Sequence, residues 1–61
     1  MPPELAAVLA GDETARGVYD GLSFTHRKEY ARWIAGAKRQ ETRERRVRRA
    51  IEMLSEGIKH P

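Results

Sequence analysis

The chain has 61 residues, no cysteine and a formal net charge of +3. A chain of this length forms one domain at most and buries only about 60% of the surface that it exposes when unfolded, and without cysteine neither a disulfide nor a thiolate metal site can stabilise it. No apolar run is long enough to span a membrane and the N-terminus lacks the pattern of a signal peptide, so we expect a single soluble domain over residues 1–61, in the cytoplasm and without membrane insertion.

Two short helices are predicted in the first third of the chain. In the first, Pro3 suits the opening turn, Gly11 suits the C-cap, and the apolar positions recur at helical spacing: Leu5, Val8 and Leu9. The second covers about residues 12–20, with Asp12 as N-cap and Gly21 at its end. Its apolar stripe consists of Ala15, Val18, Tyr19 and Leu22.

Two longer helices are predicted in the second half. The third begins after Ser23 or Thr25 as N-cap, and its apolar face consists of Tyr30, Trp33, Ile34 and Ala37. The fourth is predicted to begin at Thr42 as N-cap and to run to Glu56, with Gly57 as its stop. Its inward stripe consists of Val47, Ala50, Ile51, Leu54 and Ile58.

These patterns predict an all-α fold, a small bundle of four helices, two short and two longer, with no β-sheet. The two short helices are expected to lie across the longer pair. Trp33 has the largest side chain and is predicted to be the centre of the core, together with Leu22, Val47, Ile51 and Leu54. Residues 58–61 are predicted to form a frayed tail.

The segment KRQETRERRVRR, residues 38–49, concentrates the positive charge, with seven cations and two anions. One interpretation is a solvated helix face stabilised by pairs four residues apart: Glu41 with Arg45, Glu44 with Arg48, and Arg48 with Glu52. Cations near a helix N-terminus oppose the helix dipole, however. They are therefore expected to meet acidic groups, either from Asp20 or Glu29 of the chain itself or from a partner.

Two further interpretations of the basic segment stay open at this stage. A nucleic-acid-binding domain would place the last helix in the major groove through Thr42, Arg43, Arg45 and Arg46, although nearby glutamates would face phosphates. An amphipathic helix on a membrane surface is less favoured, because its apolar side is narrow and lacks Trp and Phe.

Nothing in the composition predicts catalysis, a cofactor or a metal site. The chain has two histidines: His26 falls in the first turn of the third helix, and His60 lies beside the terminal proline. The carboxylates of Glu52 and Glu56 lie four residues apart, but no histidine or third acid accompanies them. We therefore expect a protein that is not an enzyme.

The second half of the sequence contains a set of motifs: Trp33-Ile34, Ala37-Lys38-Arg39, Thr42-Arg43 with Arg46, and Leu54 with Gly57. Together these motifs resemble the C-terminal helical module of the bacteriocin-protection, OmpD-associated family of bacterial proteins. The resemblance extends over nearly the whole chain. It implies a bacterial source and an accessory, non-catalytic role, either as a stand-alone copy or as one domain of a longer protein.

The basic residues divide by their phase on the last helix. Arg43 and Arg46 flank the inward stripe, and with Trp33 and Thr42 we expect them to be structural, tied to carboxylates or carbonyls of the chain itself. The others are expected to bind an acidic protein surface or a companion domain: Lys38, Arg39, Arg45, Arg48 and Arg49. The alternative is nucleic-acid binding through the same residues. The sequence does not indicate the oligomeric state.

Overall fold

The computed structural model describes residues 2–61 and contains four helices within them. In chain order these are α1 (Pro3–Ala10), α2 (Glu13–Gly21), α3 (Phe24–Ala35) and α4 (Gln40–Ser55). No strand occurs in residues 2–61. The predicted all-α fold of two shorter and two longer helices is therefore confirmed.

Capping residues mark the starts of α2 and α3 and the end of α1. The carboxylate of Asp12 accepts a hydrogen bond from the Ala15 N–H at 3.0 Å, which makes Asp12 the N-cap of α2. At the start of α3 the hydroxyl of Ser23 accepts from the His26 N–H at 3.2 Å, so Ser23 is the N-cap. Gly11 follows the last residue of α1, as predicted.

The start of α4 differs from the prediction. The helix begins at Gln40, its N-cap position is occupied by Arg39, and no side chain caps it. Thr42 is therefore inside the first turn and is not the N-cap. Gln and Glu are strong helix formers, and Glu41 also suits the positive end of the helix dipole, so the two residues before Thr42 extend the helix backwards.

Helix α4 is the element that joins the fold, because it packs against each of the other three helices. The largest completely buried side chains are Tyr30, Leu5, Ile34 and Leu54. Of the predicted core, Leu22, Val47 and Leu54 are buried, whereas Trp33 and Ile51 pack against the core and are only partly buried. The prediction of Trp33 as the centre is wrong. Tyr30, one turn earlier on the same face of α3, holds that place.

The segment after α4 folds back on the core at its first residues. Gly57 has a φ of +79°, which an L-residue with a side chain rarely adopts, and it ends the helix as predicted. The Ile58 N–H then donates to the Met53 carbonyl at 2.9 Å, and the Tyr30 hydroxyl donates to the Ile58 carbonyl at 2.7 Å. Within the predicted frayed tail, Ile58 is thus held against the core, and residues 59–61 are exposed.

Candidate interaction surface

The C-terminal end of α3 is bonded to arginine side chains from α4. Arg46 donates from Nη1 to the Trp33 carbonyl at 2.6 Å. Arg43 donates from Nη2 to the Ala35 carbonyl at 3.2 Å and from Nε to the Ala37 carbonyl at 2.9 Å. A helix leaves its last four carbonyls without partners inside the helix, and two of those four are satisfied here by guanidinium groups.

The other two carbonyls of this last turn are satisfied by the backbone. The Gly36 N–H donates to the Arg32 carbonyl at 2.8 Å, and the Ala37 N–H donates to the Ile34 carbonyl at 3.1 Å. All four terminal carbonyls of α3 therefore have a donor. We call this arrangement, formed by residues 32–37 together with Arg43 and Arg46, the α3–α4 corner.

The corner explains why cations stand near the start of α4. The end of α3 carries the negative pole of its helix dipole, and a cation is stabilising there. Arg43 and Arg46 belong to the first two turns of α4, but their guanidinium groups lie at the end of α3. The unfavourable field at the start of one helix is thus opposed by a favourable field at the end of its neighbour.

Two further contacts hold these arginines. Nη1 of Arg43 lies 3.6 Å from Oε2 of Glu4, which is in the first turn of α1. The guanidinium carbon of Arg46 lies 5.7 Å from the centroid of the Trp33 ring, within cation–π range. The expectation that Asp20 or Glu29 supplies the acidic partner is wrong. In residues 2–61 that partner is Glu4, and Asp20 instead pairs with Arg16 at 3.7 Å.

The remaining cations of the basic segment are all exposed. We call them the outer basic set: Lys38, Arg39, Arg45, Arg48 and Arg49. Lys38 lies in the loop between α3 and α4, Arg39 is the N-cap of α4, and the three arginines lie on the outer side of α4.

The ion pairs predicted along this face do not form. In the part of the chain that the structure describes, the outer basic set makes one ion pair, between Nη1 of Arg49 and Oε2 of Glu52 at 3.0 Å. Glu41 and Arg45, Glu44 and Arg48, and Arg48 and Glu52 are not paired. Exposed pairs gain little in water and restrict two long side chains, so spacing alone does not ensure contact.

The exposed side of α4 is balanced in charge rather than basic. Its exposed charged residues are three arginines, Arg45, Arg48 and Arg49, and three glutamates, Glu41, Glu44 and Glu52. Arg43 and Arg46, which gave the sequence segment its excess, are occupied at the α3–α4 corner. The net positive charge of this region is therefore concentrated at Lys38 and Arg39, beside the start of the helix.

The comparison with protein families decides what kind of chain this is. Residues 1–57 match the family model OmdA, described as bacteriocin-protection, YdeI or OmpD-associated. The chain belongs to the OmdA family. The match spans all four helices, including the α3–α4 corner and the outer basic set, and it confirms the resemblance noted in the sequence. No curated protein and no solved structure shows a significant match.

Two features of residues 2–61 in this OmdA-family chain concern metal ligands and membrane-spanning helices. No group of three or more His, Cys, Asp or Glu side chains that could hold a metal ion occurs in residues 2–61. No helix in the same range is long and apolar enough to cross a membrane. The rings of His26 and His60 lie 5.7 Å apart between centroids. Absence of catalysis stays a prediction.

Two residues of the OmdA-family structure are absent from the sequence-based predictions. Glu4 is the acid that pairs with Arg43, and nothing in the spacing brings α1 to the start of α4. Phe24 is exposed, with 70% of its surface accessible to solvent. The helical period does indicate this exposure. Phe24 is six residues before Tyr30, and at about 100° per residue its side chain lies roughly 240° around α3 from the buried face.

Proposed function

We propose that this OmdA-family chain is a non-enzymatic interaction module of the bacterial cytoplasm. It binds an acidic surface of another protein, or of a companion domain, through the outer basic set. Arg45 and Arg48 supply the central contacts, and Lys38 and Arg39 add positive charge at the edge.

The division of the arginines supports this proposal. Two arginines of the segment, Arg43 and Arg46, have partners within the fold, whereas Arg45 and Arg48 have no ion-pair partner in residues 2–61. The inner side of α4 already packs against the other three helices. Its exposed arginines that have no ion-pair partner are therefore available to bind a partner protein. Arginine is also among the residues that contribute most to protein interfaces, because its planar group binds carboxylates through two hydrogen bonds.

The runner-up function is nucleic-acid binding, and the structure offers it less support. A recognition helix would need Arg43 and Arg46 free to reach the groove, but both are bonded to the end of α3. Exposed Glu41 and Glu44 would stand against the phosphates.

The test is an amide NMR titration of the labelled chain with two probes, poly-L-glutamate as the acidic polypeptide and a mixed-sequence DNA duplex, each at low and physiological salt. We expect poly-L-glutamate to shift the amides of the outer basic set. The variant with Arg45→Glu and Arg48→Glu should lose this response. The matched control, Arg16→Glu with Lys59→Glu, changes the net charge equally at exposed positions elsewhere and should keep it.

Two outcomes would contradict the proposal. Equal loss of response in the test and control variants would show a dependence on net charge and no defined surface. Duplex binding confined to residues 38–49 that persists at physiological salt, with a log–log salt slope near −0.9 per phosphate contacted, would establish the nucleic-acid function instead.

A further inference from the structure

A second surface, away from the outer basic set, is centred on Phe24. This side chain is the first residue of α3 and is 70% exposed, and Val8 is the next most exposed large apolar side chain in residues 2–61, at 40%. Phe24 borders a shallow depression between α2 and α3. We call its lining residues the Phe24 patch: Tyr19, Phe24, Arg27, Lys28 and Ala31.

The patch combines apolar surface with two cations and contains no carboxylate among its lining residues. The Lys28 ammonium lies 5.9 Å from the centroid of the Phe24 ring. The Tyr19 hydroxyl donates to the Arg27 carbonyl at 3.3 Å, which fixes the floor of the depression across α2 and α3. The aromatic surface is therefore exposed within a positively charged rim.

Arg27 is the residue of the patch whose bonding is incomplete. Its Nε atom is buried and has no hydrogen-bond acceptor, and it is the single such side-chain atom in residues 2–61. A buried donor without an acceptor costs free energy, and a charged donor costs more than a neutral one. A carboxylate that entered the depression and allowed the guanidinium to turn toward it would accept from both Nε and a terminal nitrogen.

We propose that the Phe24 patch binds an acidic peptide segment of a partner protein. An apolar side chain of the segment packs on Phe24 and Ala31, and a neighbouring Asp or Glu carboxylate is bound by Arg27 and Lys28. The patch holds the aromatic anchor that the outer basic set lacks, and the two surfaces lie on different helices. This inference is independent of the proposed function, because each can fail while the other holds.

The composition of the patch favours a peptide over a nucleic acid. A phosphate could bind the two cations, but a phosphodiester backbone brings no apolar group to cover Phe24. A base could stack on the Phe24 ring, but Tyr19 is buried, so the patch offers one exposed ring and not the succession of aromatic rings on which single strands stack. An acidic segment with an apolar side chain satisfies both features, since it neutralises the cations and removes the exposed ring from water.

The experiment uses the full chain, labelled with nitrogen-15, and a short capped peptide in which leucines alternate with glutamates. We expect the amides of the Phe24 patch to shift as the peptide is added. Replacing the glutamates by glutamines, or the leucines by serines, should each weaken binding about tenfold or more, as loss of a central interface contact does. Phe24→Ser and Lys28→Gln should each reduce the affinity for the original peptide, while Lys59→Gln, at an exposed lysine outside the patch, should leave it unchanged.

Because Phe24 and Lys28 are exposed, both variants are expected to fold, and circular dichroism of each variant checks this. The proposal is overturned if the peptide shifts no amide of the patch, or if Lys28→Gln and Phe24→Ser bind as the unmodified chain does. It is also overturned if a single-stranded oligo-dT shifts these amides and the peptide does not. Shifts of the same amides with chain concentration alone would assign the patch to a second copy and would equally contradict it.

Discussion

Arg43 meets the backbone and an acid at the same time, since its guanidinium bonds the Ala35 and Ala37 carbonyls and lies beside Glu4. Arg48, only five residues away, is exposed and has no ion-pair partner in residues 2–61. The two residues have the same chemistry, and the fold alone gives them different roles. Their difference can be measured as stability.

We predict that Arg43→Ala lowers the free energy of unfolding by about 1–3 kcal/mol, because it leaves two carbonyls at the end of α3 without a donor. In a domain of this size each kcal/mol corresponds to roughly 4–8 °C in melting temperature. Arg48→Ala is the control and should change stability by less than about 0.5 kcal/mol. Thermal denaturation followed by circular dichroism measures both. Equal, negligible losses would contradict the structural role of Arg43.

How far the sequence predicts a residue depends on whether its neighbours are close in sequence. The phase of α4 predicts that Arg43 and Arg46 lie toward the fold, since phase is a local property. It could not supply their acceptors, because the position of Glu4 and of the α3 carbonyls depends on how the helices pack. The prediction that Trp33 is the centre of the core was wrong for the same reason. Trp33 shares a face with Tyr30, but how deeply each side chain is buried depends on the other helices and not on α3 alone.

The helices differ in how their first turns are stabilised. Asp12 caps α2, as predicted, and Ser23, one of the two predicted candidates, caps α3, both with side-chain oxygens. Helix α4 has Arg39 at the N-cap, no side-chain cap, and its orphan N–H groups next to a cation. A capping motif predicts a helix start well, and an uncapped start leaves no such signal. Thr42 is the residue of this segment whose side chain is typical of an N-cap, and the pattern therefore predicts the start of α4 there.

We predict that Arg39→Ser stabilises the chain by about 1 kcal/mol, because a serine hydroxyl at the N-cap accepts from the first turn of α4 and the unfavourable cation is removed. Asp12→Ala is the opposite comparison and should cost a similar amount by deleting an existing cap. Urea denaturation of the two variants measures the changes. A decrease in stability for Arg39→Ser would show that Arg39 has a stabilising contact that its exposure does not indicate.

On the scale of the whole molecule, α4 and the segment after it close the fold. The buried Tyr30 hydroxyl reaches 28 residues along the chain to the Ile58 carbonyl. Burial raises the pKa of Tyr30 above the ordinary value of 10.0, because the charged phenolate is disfavoured there. The pKa of Tyr19 is also raised, first by burial and then by Asp20, with Arg27 acting in the opposite direction.

These shifts predict an alkaline loss of stability. A tyrosine whose pKa is higher in the folded state binds its proton more tightly there, so its contribution is fully present below pH 10.0 and is lost as the pH rises through the folded-state pKa. Tyr30→Phe should lower stability at neutral pH by removing the bond to Ile58, but its stability should then fall less steeply at alkaline pH. Urea denaturation of Tyr30→Phe and of the unmodified chain, from neutral to alkaline pH, measures the two stabilities. If the two stabilities fall in parallel as the pH rises, the alkaline effect does not come from Tyr30.

If the outer basic set binds a partner as proposed, the α3–α4 corner also affects the conformational entropy that binding costs. Lys38 and Arg39 lie on the short connection between α3 and α4. This connection is held at both ends, because the terminal carbonyls of α3 are hydrogen-bonded to backbone N–H groups and to an arginine from the first turn of α4. A flexible loop would lose conformational entropy on binding, whereas these two cations are displayed on a connection that is ordered beforehand. Encounter with an acidic surface is therefore expected to proceed as rigid-body docking, without folding coupled to binding.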